Sequence, residues 1–379
     1  MCRAVDGRDV TMTSYRDLIG REKVNDLDEI LSISNSDIEG VVHAVRDNAE
    51  ALFTWNYDKG ERPALNKLYE KAKTSQWNGE TDLPWHLEVD QEKLAEMQAA
   101  QFGFQQMDLS RTPFATWGDK EWLELGIESQ NWALSQFMHG EQGALLCTAK
   151  IVETVPWIDA KYYASTQVMD EARHVEVFAK YLDKLSGHYP CNVHLGMLLD
   201  DIIEDSEWDM TYLGMQIMVE GLALAAFGFM HQITDDPLLK QLLRYVMADE
   251  ARHVAFGVLS LKEVYEQMSS AELQHRVEFA FEAAVRMRDR FLQQEVWERM
   301  GVDPKVAIPM AQQSPFRAEF QKMLFTKIVP NCKKLGLLEA NDGWLRERFT
   351  ELGVIQFEDM DDTGEEYEAF ALPDEVTAG

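Results

Sequence analysis

Asp170-Glu171-Ala172-Arg173-His174 and Asp249-Glu250-Ala251-Arg252-His253 are one pentapeptide written twice, each inside a long stretch whose apolar residues recur with helical period. Residues three apart lie on one face of a helix, so Glu171 with His174, and Glu250 with His253, can each reach a common ion. Each pair is half a ligand set. A two-ion site in a helical bundle takes its remaining carboxylates from two neighbouring helices, one Glu apiece. Glu141 stands thirty residues before Glu171, and Glu220 thirty before Glu250. A lone Glu-x-x-His would mean little, because those residues are common on solvated helical faces. Two copies, each preceded at one interval by a Glu within an apolar face, are not explained that way, since an unpaired buried carboxylate costs several kcal/mol.

The pattern around these residues predicts helices and no strands. Lys120 to about Val155 places Leu134, Phe137, Met138, Glu141, Leu145, Thr148 and Val152 on one face. Pro156 stops it. A second helix, about Trp157 to Leu185, turns Tyr163, Gln167, Glu171, His174, Phe178 and Tyr181 inward, and the short connection makes the two antiparallel neighbours. A longer crossover, 186–207, leads to a third helix at Trp208 to Gln232. Asp236-Pro237, a cap and a first-turn proline, opens a fourth that runs to about Gln267. Each acidic candidate lies near the middle of its helix, so the four should meet at one level of an antiparallel bundle.

The expected organisation is all-α. Residues 1–119 form a helical extension packed on the core, with pieces at Ser36 to Phe53, Ala64 to Lys73 and Asp90 to Gln106. Residues 120–268 form the four-helix bundle, and 269–357 add further helices of the same domain, at Ala271 to Met300 and from Ser314 to Leu335. Residues 358–379, acidic and poor in large apolar side chains, are expected to be a disordered tail.

The chemistry requires these residue types. Carboxylate and imidazole suit divalent iron or manganese, and two such ions held close together need about four negative charges to offset their repulsion. Glu141, Glu171, Glu220 and Glu250 supply four. The other polar letters fit an outer ring, since a metal-bound His usually gives its second N–H to a carboxylate. Asp170 and Asp249 are placed to receive it, along one helix or across the pair, with Arg173 and Arg252 offsetting their charge.

With 379 residues and a net charge of −30, nucleic acid and anionic membrane surfaces are poor partners, because both demand basic surface. Met1 through Leu18 shows no basic segment followed by an apolar core, and the longest apolar patch, Leu222 to Met230, is too short to span a bilayer. A cytoplasmic protein that enters no membrane is expected. Cys2, Cys147, Cys191 and Cys332 lack Cys-x-x-Cys spacing and read as packing thiols. His139 falls off the face of Glu141 and is left out of the site.

On these residues the chain resembles the ferritin-like di-iron carboxylate superfamily across about 130–260. The doubled Asp-Glu-x-Arg-His is most similar to its oxygen-activating branch: multicomponent monooxygenase hydroxylases, acyl-carrier-protein desaturases and p-aminobenzoate N-oxygenase-like proteins. The resemblance implies that Glu141, Glu171, His174, Glu220, Glu250 and His253 hold two iron ions, or a mixed manganese and iron pair. It implies an enzyme that uses dioxygen and an external electron donor, a reductase or ferredoxin, to hydroxylate, N-oxygenate or desaturate a small organic molecule, with a homodimer expected. The alternative is a ferroxidase that needs no organic substrate. The pattern departs at three places. Phe178 stands where radical-storing relatives have Tyr, Leu224 where the hydroxylases have Thr, and Val246 where the N-oxygenases carry an additional His ligand.

Overall fold

The structure is a computed structural model that describes residues 13–33, 44–49, 51, 55–101, 109–314 and 320–360. The expected tail falls almost wholly outside these residues. So does most of the expected helix at Ser36 to Phe53, whose described part, 44–49, is not helical.

The helices in chain order are α1 (Tyr15–Ile19), α2 (Leu27–Ser32), α3 (Pro63–Thr74), α4 (Gln91–Gln101), α5 (Asp119–Thr154), α6 (Ile158–Leu182), α7 (Val193–Glu204), α8 (Trp208–Ile233), α9 (Pro237–Tyr265), α10 (Ser270–Arg290), α11 (Gln294–Arg299), α12 (Pro304–Ala311), α13 (Ile328–Lys334) and α14 (Ala340–Glu351). No strand occurs among the described residues. The antiparallel pairs α5/α6 and α8/α9 form the bundle. Helices α3 and α4 lie against α6 and α5, while α7 and α14 pack on α10.

Local chemistry sets the ends. The Asp236 carboxylate accepts from the N–H groups of Leu238 and Leu239 at 3.1 and 3.3 Å, starting α9 with Pro237 in its first turn. The Tyr181 hydroxyl donates to the same carboxylate at 2.5 Å, which fixes the end of α6 to the start of α9. Ser269 and Glu272 form a capping box at the head of α10.

Three features depart from expectation. Helix α8 is apolar and long enough, by length and composition, to cross a bilayer, well beyond the 222–230 patch; 78% of its most apolar window is buried, so its apolar faces are occupied by the bundle. Its middle, Leu213–Val219, is π-helical, and the Glu220 N–H donates to the Met215 carbonyl five residues back. Single π-turns of this kind cluster at functional sites, and this one ends at a candidate ligand. The expected helix at Ala271 to Met300 is broken after Arg290, because Gln293 takes a left-handed backbone with φ 57° and redirects the chain into α11.

The close approach of α9 to the π-turn depends on Gly257, one turn past His253. A Cβ there would stand 2.6 Å from Gln216 Cβ, which is tied to the backbone and cannot rotate aside. Gly257→Ala is therefore expected to destabilise the protein by about 1–3 kcal/mol through overpacking, read as a lower urea midpoint at unchanged slope.

Candidate metal centre

The six candidate ligands come from four helices, Glu141 on α5, Glu171 and His174 on α6, Glu220 on α8, Glu250 and His253 on α9, and all are at most 4% exposed. Their ligand atoms fall into two groups that share Glu171. One comprises Glu141, Glu171, His174 and Glu250, the other Glu171, Glu220 and His253. The two oxygens of Glu171 reach different imidazoles, Oε2 lying 3.3 Å from His174 Nδ1 and Oε1 3.1 Å from His253 Nδ1. Glu250 does the same, at 3.0 Å from His174 Nδ1 and 3.5 Å from His253 Nδ1. Glu141 approaches His174 alone among the imidazoles, at 3.2 Å. Glu171 and Glu250 thus occupy bridging positions, while Glu141 and Glu220 sit at opposite ends.

The outer ring is crossed. His174 on α6 faces Asp249 on α9, with Nε2 3.1 Å from Oδ2, and His253 on α9 faces Asp170 on α6 at 3.4 Å. Each Asp is placed to accept the Nε2 proton of its His, so Nδ1, which faces the carboxylates, is the nitrogen that a metal ion would take. Arg173 Nη2 donates to Asp170 Oδ1 at 2.5 Å and to Asp249 Oδ2 at 2.9 Å. Arg252 donates to Asp249 and lies 3.6 Å from Asp170. Two Asp and two Arg therefore balance in a buried ring that ties α6 to α9.

Sequence reasoning missed three members of this network. Gln167, placed on the inner face but given no role, donates through Nε2 to Glu171 Oε1 and Glu220 Oε1, both at 2.9 Å, coupling a bridging carboxylate to a terminal one. Trp77, from the turn after α3, donates its indole N–H to Asp249 Oδ2 at 2.7 Å and stacks on Tyr245. Gln76 donates to Asp170 at 3.0 Å and accepts from Arg173 at 2.8 Å. His139 is engaged elsewhere, with Gln142 and the Tyr189 carbonyl. Cys147, Cys191 and Cys332 form no disulfide among the described residues, and burial pushes Cys147 above the usual thiol range.

The donor set fits a pair of metal ions. Glu171 Oε2, Glu220 Oε2, both Glu250 oxygens and His253 Nδ1 are buried with no hydrogen-bond partner among the described residues. Buried oxygens in that state are costly unless something takes their lone pairs, and four carboxylates match the charge of two divalent cations.

Without the cations, protons take part of that role. Burial, reinforced by the charge of Glu250, pushes the Glu141 carboxyl up to about 8 despite the pull of His174. Burial and the charges of Glu171 and Glu250 hold Glu220 well above the carboxylate range. Burial disfavours charge on His174, but Glu141 and the bond to Asp249 outweigh it and raise the imidazole well above its ordinary value. His253 is raised likewise by Glu171 and Glu250 against the effect of burial. Burial would raise Glu171 too, yet the charges of His253 and His174 beside it hold it low. Groups with raised values carry protons at pH 7 that ligands must shed. Metal binding is accordingly expected to release about two to four protons and to weaken as pH falls. An anaerobic Mn(II) titration in dilute buffer with a pH indicator measures the release. A metal-induced rise in Tm as large at pH 6 as at pH 8 would contradict it.

One cavity borders the cluster, and a second shares Phe137 with it. The first, about 20 Å³ and large enough for a single water molecule, is lined by Glu141, Glu220 and Glu250 together with Phe137, Phe227 and Arg290. The other, about 90 Å³, has walls that include Trp132, Phe137, Phe229, Phe291 and Gln130. Phe137 lines both, its ring centroid 4.7 Å from that of Phe227 in an edge-to-face pair, and part of an aromatic cluster with Phe178.

Residues 58–336 match the family model for the p-aminobenzoate N-oxygenase AurF. Among solved structures, an R2-like ligand-binding oxidase with an aerobically reconstituted metal cofactor after photoconversion is 17% identical, with 74% of this chain and 99% of that chain covered and a TM-score of 0.48. A variant R2-like ligand-binding oxidase with an anaerobically reconstituted Mn/Fe cofactor is 19% identical, covering 69% and 93% with a TM-score of 0.45. Among curated proteins none matches the chain.

Proposed function

Since the chain belongs to the p-aminobenzoate N-oxygenase AurF family, and is thereby an oxidoreductase with a di-metal site, we propose that it oxidises a small organic molecule with dioxygen, using electrons from an external donor. Glu141, Glu171, His174, Glu220, Glu250 and His253 are the ligands in this reading, holding two iron ions or a manganese and iron pair. Bound there, the pair supplies the electrons that reduce dioxygen.

The chain's own residues do the rest. Asp249 and Asp170 keep the His174 and His253 protons on Nε2. Gln167 restrains Glu171 and Glu220, limiting how far either carboxylate can swing. Phe137 and Phe227 form apolar walls of the chamber, and the burial of the ligands strengthens every electrostatic contact among them. With Phe178 and Val246 both fully buried, no phenol or imidazole stands at either position, so the reading involves neither a stored tyrosyl radical nor a seventh protein ligand. Hydroxylation, N-oxygenation and desaturation all suit the arrangement. A cytoplasmic setting with a basic ferredoxin or reductase as donor suits the acidic surface.

The observation that carries the reading is an aromatic-walled cavity sharing Phe137 with the metal-side chamber, which a protein that only stored or oxidised iron would not need. Protein loaded anaerobically with two equivalents of Fe(II) is expected to consume oxygen faster than free Fe(II) at equal concentration and to develop visible absorption. Uptake no faster than that control, with or without added reductant, would overturn the reading.

A further inference from the structure

The larger cavity, about 90 Å³, is walled by rings that hold one another in place. Phe291 meets Trp132 and Phe320 edge-on, with centroids 6.0 and 5.4 Å apart, and Phe320 lies 5.0 Å from Phe229. The Trp132 indole N–H donates to Glu295 Oε2 at 3.0 Å, and the same carboxylate accepts from Asn192 at 2.5 Å, so this wall is tied to a group that does not itself line the cavity. Rings fixed in this way make the cavity a preformed one.

None of the described residues that line this cavity carries a charge. Its polar members are Ser129 and three glutamines, while Arg290 and the metal-ligand carboxylates line the smaller chamber instead. Exposure gives the cavity a direction. Ile233, Phe320 and Gln321 are half-buried, whereas Trp132, Phe137 and Ala226 are at most 4% exposed. The mouth is therefore on the Gln321 side and the inner end at Phe137, next to the ligands. The chamber beyond Phe137 has room for a single water molecule, so an organic body comes no further than that ring.

We propose that the aromatic cavity binds a small neutral organic molecule with its apolar end against Phe137, and rejects acids and amines of the same size. A cavity of about 150 Å³ lined by such side chains takes benzene, so one of this volume admits an apolar body of about four carbons. Burying a carboxylate or an ammonium with no opposite charge in the walls is among the costliest arrangements in a protein, and a neutral molecule avoids it. Any polar group is then left toward the glutamine at the mouth. The consequence, which rests on the proposed function, is that the substrate is a neutral compound oxidised at the carbon atoms facing Phe137. The binding and its test do not depend on that reading.

The test is ligand-observed magnetic resonance on the full chain with butan-1-ol, butyrate and butylammonium, which share one carbon chain and differ in charge. Without metal, butan-1-ol is expected to bind at least tenfold more tightly than either ion. With Mn(II) bound and oxygen excluded, its methyl protons should relax faster than those beside the hydroxyl, because the alkyl end faces the metals. Ala226 lines the inner end and is no metal ligand, so Ala226→Leu should fill the space and abolish alcohol binding while Mn(II) binding is unchanged. Either ion binding as tightly as the alcohol, no binding of the alcohol, the reverse order of relaxation, or alcohol binding that survives in Ala226→Leu would each overturn the proposal. If Ala226→Leu does not fold, Ala133→Leu from α5 and the wild-type charge series decide. Alcohol binding in a protein that consumes no oxygen would sink the proposed function and leave the site standing. Rapid oxygen uptake without preference for the neutral molecule would do the reverse.

Discussion

Glu220→Gln is expected to hold one divalent ion where the wild type holds two, and Glu171→Ala to hold none tightly. The contrast follows from position. Glu220 belongs to the group around His253, whereas Glu171 belongs to both groups and reaches both imidazoles. Removing a terminal carboxylate leaves the Glu141, Glu171, His174 and Glu250 set intact. Removing the bridge takes a ligand from each ion and one of the charges that offset their repulsion. The loss should exceed the ~10–100-fold that follows when an outer partner of a ligand is removed. Metal content after desalting, with Mn(II) magnetic resonance to separate isolated from coupled ions, measures it. The metal-free Glu220→Gln protein should be at least as stable as wild type, because burial and neighbouring carboxylates already force that group toward its neutral form. Two ions retained by Glu171→Ala would mean that the bridging geometry does not operate.

The residues of this centre were legible in the sequence for a physical reason. Ligands at i and i+3 on one helix leave a local signature, and two helix pairs of equal length repeat the interval from Glu141 to Glu171 between Glu220 and Glu250. The cross-pairing of Asp249 with His174 and Asp170 with His253 was left open, because the spacing serves both arrangements; the antiparallel packing of α6 on α9 selects the crossed one. Gln167, Gln76 and Trp77 act as single side chains, two of them from a turn that approaches only in space, so no repeat marks them. The π-turn before Glu220 carries no compositional mark, and the break after Arg290 uses Gln293 in a backbone conformation usually given to Gly. Phe291 and Arg290, which precede that break, line the two cavities, a placement that periodicity could not reach.

Asp249→Ala is expected to cost about 3–5 kcal/mol, because removing one partner of a buried charged network strands the others. Asp249 accepts from Trp77, Arg173 and Arg252 and faces His174. Those charges hold it below the usual carboxylate range against the effect of burial. Without it, Arg252 lies 3.6 Å from Asp170 as its nearest remaining carboxylate, and His174 loses the group that fixes its proton on Nε2. Metal affinity should fall by about 10–100-fold as the imidazole loses its orientation, measured by competition with a chelator. Stability and affinity are separable. Adding Arg252→Met to Asp249→Ala removes a stranded cation and should restore part of the urea midpoint, yet it returns nothing to His174, so affinity stays low. Recovery of both together would make Asp249 a packing element whose effect on the metals passes through helix position. Recovery of the midpoint alone would assign it the positioning of the imidazole, the step that turns a helix-tying ion network into support for a metal centre.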